Sequence, residues 1–322
     1  MPLPRVVTGS FLVAITVLCN GVVSGQNYPN KPVRIVTGAV GGSSDFGSRL
    51  IAQGIAGPLG QPVIVDNRGG SVVIAAEAVA KAAPDGYTLL YYASSFWLAP
   101  YMLDNASYDP VKDFSPITLT VIAPALLAVH PSLPVKSVKE LIALAKAKPG
   151  ALNYGSSGAG TTPHLAAELF KSMAGVDIVR IFYKGVNPAL NDLVAGQVQM
   201  VFATAASVQP KVKAGKLRAL GIASAQPSAL LPGLPTLTST GLPGYEYETP
   251  SGIFSTARTP AAIVTRLNQE IVRHLKTAEL KERLLNLGLE AIGNSPEQFA
   301  AAVKADMTRL GKVIKDAGIR AE

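Results

Sequence analysis

Two segments of this 322-residue chain concentrate groups that could do chemistry: GAVGGSSDF at positions 38–46 and YGSSGAGTTPH at 154–164. Each places glycines and small hydroxyls between a strand pattern and a helix pattern. Bare backbone N–H groups, a helix N-terminus and hydroxyl donors together suit an anion without any cation. A helix dipole adds roughly 0.3 to 1 kcal/mol, up to about 2 when partly buried. Directed hydrogen bonds, at about 1.5 to 3 kcal/mol each to an anion, must therefore carry most of the affinity. The competing reading is that both are tight turns, with Ser44 or Asp45 capping the helix that follows. Asp45 either caps or meets a positive group of a ligand. His164 either donates to a ligand or is a structural first-turn residue.

Other chemistries find little support. GAVGG does not complete G-x-G-x-x-G, no phosphate-loop motif G-x-x-x-x-G-K-[ST] is present, and neither glycine segment forms G-x-S-x-G. Scattered histidines and a single cysteine give no metal-ligand spacing. Binding without turnover, cofactor or metal is the expectation.

Short apolar runs alternating with helical patterns must position these loops, which implies an α/β fold with parallel-rich sheets. Strand patterns fall at 33–37, 61–67 and 87–94, with helices at 45–56 and 71–83 between them. The pattern then restarts. A capping box of Ser137 and Glu140 opens a helix, and Thr161, Thr162 and Pro163 open another. Strands are expected in ALNYGSSG, DIVRIFY, QVQMVFA and KLRALGIAS. From Thr259 the chain reads as helical, with Ser295 and Gln298 capping the last helix. That set needs a sheet to cover, and YETPSGIFS could return to the first unit as a strand. The expected organisation is a first lobe of residues 27–124 and 250–322, a second lobe of 125–249, and a hinge at crossings near 120–128 and 247–254.

Residues 1–26 carry Arg5, an apolar stretch from Phe11 to Cys19, and small residues at Ser24 and Gly25. This is the layout of a signal peptide cut near Gly25 or Gln26, which would remove Cys19, the sole cysteine. A retained anchor is the alternative, but the stretch falls short of the roughly 18 to 20 apolar residues a span needs. With 29 Lys and Arg against 21 Asp and Glu, the formal net charge is +8. The cations are spread without interleaved aromatics, which argues against nucleic acid and fits an exported protein that attracts small anions.

Several stretches, in order, carry a family resemblance: YPNKPVRIV with GGSSD, VIVDNR with AAEAVAKAAPDGYTLL, YDPVKDFSPI, and LNYGSSGAGTTPHLAAELF with YKGVNPALNDLVAGQVQMVF. Together they resemble the Bug family, the extracytoplasmic solute-binding receptors of tripartite tricarboxylate transporters, over nearly all the chain after Tyr28. The resemblance implies a two-lobed periplasmic binding protein of the type II class, closing around a small organic carboxylate. It also implies delivery to membrane subunits of a tripartite tricarboxylate transporter, in a protein expected to be a monomer. By motif position, the first-lobe contacts would be Gly41, Gly42, Ser43, Asp45 and Ser94. Second-lobe contacts would be Ser156, Ser157, Gly158, Thr161, Thr162 and His164, then Lys184, Gly185, Thr204 and Ala205.

Departures from the family pattern bear on the ligand. An aromatic and a proline usual in the first loop are replaced by Gly38, Ala39 and Val40, where this chain's selectivity is expected to begin. The loop after Arg68 is one residue short and carries Ser71 and Val72 at the usual glycines, so it is expected to shape the pocket instead of holding the ligand. Phe96 and Trp97, in the loop after the third strand, either pack in the core or face the cleft and favour an aromatic carboxylate. An exported enzyme acting on a carboxylate, or a carboxylate sensor, are the alternative functions.

Overall fold

The computed structural model describes residues 28–69, 71–104, 106–228 and 231–320. The expected signal peptide and its Cys19 lie outside the described residues.

The chain opens with β1 (Val33–Thr37), α1 (Ser43–Leu59), β2 (Val63–Asn67), α2 (Val72–Ala80) and β3 (Thr88–Ala93). β1 is central and pairs in parallel with β2 and β3. Its Val33, Ile35 and Val36 are fully buried, as expected of a strand covered on both faces. The residues after β3 form a helix, α3 (Ser95–Met102), where the sequence suggested a loop. Four apolar residues in succession have no helical period, and Pro100 lies within them, so the pattern gave no helical signal.

β4 (Phe114–Val129) then runs for 16 residues. After it come α4 (Val138–Ala147), β5 (Asn153–Ser156), α5 (Thr162–Ala174), β6 (Val179–Phe182), α6 (Val186–Val194), β7 (Met200–Thr204), α7 (Ala205–Lys213), β8 (Arg218–Ile222) and the single turn α8 (Leu237–Thr240). β9 (Glu248–Thr256) returns, and the chain ends with α9 (Ala261–Leu275), α10 (Ala278–Asn286), β10 (Glu290–Ala291) and α11 (Pro296–Asp316).

The strands follow the order β2-β1-β3-β9-β4-β7-β5-β6, with β8 and β10 also paired to β4. β5 is parallel to β6 and β7, whereas β9 is antiparallel to both β3 and β4. β4 joins the two groups: Phe114 to Pro124 pair with β9, and Ala125 to Val129 pair with β7.

Helix burial explains how the groups are covered. α9 buries Ile263, Val264, Leu267, Ile271 and Leu275, one stripe at helical spacing, in a core shared with Leu50, Ile51 and Ile55 of α1. α11 begins with the expected capping box of Ser295 and Gln298. It packs on α3 and β4 but also reaches α5, so the last helix straddles both groups of strands. Phe96 and Trp97 are buried there, in an aromatic cluster with Phe254 and Phe299. The Trp97 indole N–H donates to Asp306 Oδ2 of α11 at 2.8 Å. Burial pushes the Asp306 carboxyl up, against the opposing effect of Trp97 and Arg309.

Candidate ligand-binding site

A cavity of about 420 Å³ lies where α1, α5, α7 and α10 converge over the sheet. Strand register builds its floor. Ala93 of β3 and Val121 of β4 both sit opposite Ser251 of β9, and Ala123 sits opposite Thr249. Because alternate strand residues share a face, Tyr91 and Ala93, Thr249 and Ser251, and Val121 and Ala123 all line the same side.

Three helix N-termini point at this floor. Gly41, Gly42 and Ser43 line it from the start of α1, Thr162 from the start of α5, and Thr204 with Ala206 from the start of α7. None of these helices has a side-chain cap, whereas α2, α4 and α11 are each capped by a serine. The first-turn N–H groups of α1, α5 and α7 therefore retain donors for another acceptor. None of the described residues lining the cavity has a charged side chain. Its polar side chains are hydroxyls, two of which, Thr162 and Thr249, bond each other at 2.7 Å across the gap between α5 and β9.

Asp45 is nearby but committed. Gly42 is the N-cap of α1, so neither Ser44 nor Asp45 occupies that position. The Asp45 carboxylate instead accepts from the Gly41 N–H at 2.9 Å, Asn67 Nδ2 at 2.8 Å and Arg49 Nε at 2.9 Å. Burial disfavours its charge, yet these three donors outweigh that and hold the carboxyl below its ordinary value. Asp45 thus fixes the loop that carries Gly41 and is absent from the cavity lining.

The second glycine loop also turns inward on itself. Ser157 Oγ donates to Thr161 Oγ1, which donates to the Gly158 carbonyl at 2.7 Å. Ser156 is fully buried and its Oγ accepts from Arg180 Nε at 2.7 Å. His164 is 4% exposed, with Nδ1 unpartnered, and burial followed by Arg180 lowers its pKa to about 4. Ser94 is buried at the start of α3, Lys184 is exposed, Gly185 precedes α6, and Ala205 is buried behind Thr204. None of these residues lines the cavity. The structure brings together Gly41, Gly42, Ser43, Thr162 and Thr204 from the sequence-derived set, and places the other ten around them as support or elsewhere.

Two further segments named from the sequence lie outside this lining. Gly38, Ala39 and Val40 do not reach the cavity, and Val40 is 75% exposed. Ser71 and Val72 are likewise absent from it, and the Ser71 side chain caps α2 by accepting from the Val73 N–H. The walls that sequence reasoning missed are Phe46 and Leu50, one and two turns into α1, and Leu284, Leu287 and Leu289 around the end of α10. Their apolar spacing is that of core residues, and nothing local separates a cavity wall from a core contact.

A sheet-based α/β frame, a central crossing strand and a cleft rimmed by helix N-termini suit the binding of a small solute. The model of the tripartite tricarboxylate transporter family receptor matches residues 48–319, and the chain belongs to that family. Among its relatives, protein BugT of Bordetella pertussis is 32% identical over 92% of this chain and 93% of its own length. A solved R. palustris protein with adipate is 37% identical, covering 91% of this chain and 99% of its own, with a TM-score of 0.74. MatC from Rhodopseudomonas palustris with bound malate is 31% identical over 89% of this chain and 100% of its own, with a TM-score of 0.71.

Proposed function

We propose that this chain is a periplasmic receptor that binds a small organic carboxylate in the cavity between two lobes and delivers it to membrane subunits of a tripartite transporter. Export by a cleaved signal within residues 1–26 brings it to that compartment. The lobes, 27–124 with 250–322 and 125–249, close about β4 and β9, and the receptor acts as a monomer without turnover. One observation carries the reading: three uncapped helix N-termini and a set of hydroxyls meet at a cavity where, among the described residues, the lining includes no cation and no general base. Such a site can hold an anion through preformed donors and offers no group to activate a nucleophile. Adipate and malate, held by the two structural relatives, are both carboxylates.

The test is native mass spectrometry of the purified protein, followed by thermal denaturation against carboxylates and their uncharged amides. A carboxylate at 100 times its Kd should stabilise the protein by about 2.7 kcal/mol. Absence of a shift with every carboxylate, or equal shifts with the amides, would overturn the reading. Steady product formation would replace it with an enzyme.

A further inference from the structure

Resting on the reading of a two-lobed carboxylate receptor, we infer that its hinge is proton-linked: closing the lobes over the ligand at the front of β4 and β9 opens a cleft at their back and releases a proton from Glu248. The linkage follows from strand alternation. Val121 and Ala123 of β4 and Thr249 and Ser251 of β9 line the ligand cavity. Ile122 of β4 and Glu248 and Pro250 of β9 line a second cleft instead, of about 450 Å³. The two cavities therefore lie on opposite faces of the same pair of strands. This pair joins the two groups of the sheet: β4 passes from β9 to β7 between Pro124 and Ala125, and Glu248 pairs with Pro124 at that changeover. A rotation that brings the lobes together on one face of such a hinge draws them apart on the other.

Like charges from both sides of the hinge crowd the back cleft. Glu246 and Glu248, at the end of the second lobe, face Asp306 and Arg309 of α11, and Glu290 of β10 adds a further like charge. Among the described residues lining the cleft, Arg309 is the only cation, and it is committed elsewhere. Its Nη1 donates to the Glu246 carbonyl at 2.6 Å, and its Nη2 donates to Asp306 Oδ1 at 3.3 Å. Asp306 also accepts from Trp97, and Glu290 accepts from the Ser228 hydroxyl. Burial, then Glu246 and Glu290, push the Glu248 carboxyl up to about 7. Parting the cleft walls lets water reach this carboxylate and spaces the like charges, which lowers the value toward the ordinary 4.5. The closed form then holds the proton less tightly than the open form. Affinity for the ligand therefore rises with pH between about 4.5 and about 7 and levels off above that. A drop of about one pKa unit on closure corresponds to a roughly tenfold span of affinity.

The experiment is calorimetric titration with adipate and with malate across a series from about pH 6 to about pH 8, in buffers of differing ionisation enthalpy so that proton release is read with affinity. It compares the intact protein with Glu248→Gln and Glu246→Gln. The intact protein should bind about threefold to tenfold more tightly at the upper end of the series than at the lower, with proton release on binding. Glu248→Gln should lose that rise and that release, and the comparison cancels protonation of the probe, which is common to both proteins. Glu246→Gln removes one like charge and keeps Glu248, so its rise should persist with a midpoint at lower pH. Binding with the same pH dependence in the intact protein and Glu248→Gln overturns the linkage and leaves the carboxylate reading standing. An affinity that falls with pH in the intact protein alone overturns the opening of the back cleft on closure. An unmoved midpoint in Glu246→Gln overturns charge crowding as the cause. Binding of neither probe at any pH overturns the carboxylate reading and the linkage together.

Discussion

Asp45 keeps its charge inside the protein because three donors from different places meet it: the Gly41 N–H before the helix, Arg49 one turn later and Asn67 at the end of β2. Its carboxyl is held below the ordinary 3.8, so it contributes stability that is present above that value and lost as pH falls through its lower folded value. Asp45→Asn keeps the shape but loses the charge, and should cost about 1 to 3 kcal/mol in urea denaturation near pH 7. That difference should shrink toward acid pH, where the wild-type carboxylate is itself protonated; a constant difference would show that charge is not the cause. Arg49 stands at the four-residue spacing that brings helix side chains together, a pairing the sequence reading did not draw. Asn67 was not legible as a partner, because only the parallel pairing of β1 with β2 brings Asn67 opposite Thr37 and beside the glycine loop. The same reason separates Thr162, readable as a helix start, from Thr249, whose hydroxyl meets it only through the return of β9.

At the scale of elements, the end of α10 closes the cavity against α7. Gly288 has φ of +72°, and a Cβ there would come within 2.7 Å of Ala206 Cβ and 3.0 Å of Ala206 N. Gly288→Ala should therefore act twice, destabilising by about 1 to 2 kcal/mol through the left-handed backbone and prying α10 from α7. Gly60, the C-cap of α1, has φ of +68° and nothing within 4 Å of an added Cβ, so Gly60→Ala carries the backbone penalty alone. Calorimetry with the best-bound carboxylate should show Gly288→Ala weakened about tenfold and Gly60→Ala near wild type. Equal affinities would mean that the α10 contact plays no part in holding ligand. Helix α10 itself was legible from its apolar period and the glycine that ends it. Its packing against a residue some 80 positions earlier was not, since periodicity says which face is buried and not what buries it.

For the molecule as a whole, the alternating elements foretold β1, β2 and β3 and the strands β5 to β8, because parallel strands joined by helices leave a local pattern. The strands that unite them were harder to read. β4 is one apolar run through both groups, and β9 is antiparallel to its neighbours, so their placement depends on pairing across more than 100 residues. At that junction lies a second cleft of about 450 Å³, lined by Glu246, Glu248, Asp306 and Arg309. Glu248 opens β9 opposite Pro124 of β4. Burial, then the like charges of Glu246 and Glu290, push its carboxyl up to about 7, with Arg309 only partly opposing. A folded value above the unfolded 4.5 means that the native state holds the proton more tightly. Stability from this group is thus full below about pH 4.5 and falls as pH rises through about 7. Glu248→Gln, which stays neutral, should melt about 2 to 4 °C above wild type near pH 8, and the gap should close on titration toward pH 4. Asp306, also raised by burial, is present in both proteins and cannot create the difference. Thermal denaturation across that range checks the sign: a gap that widens toward acid pH would place the buried charge elsewhere than at the junction of β4 and β9.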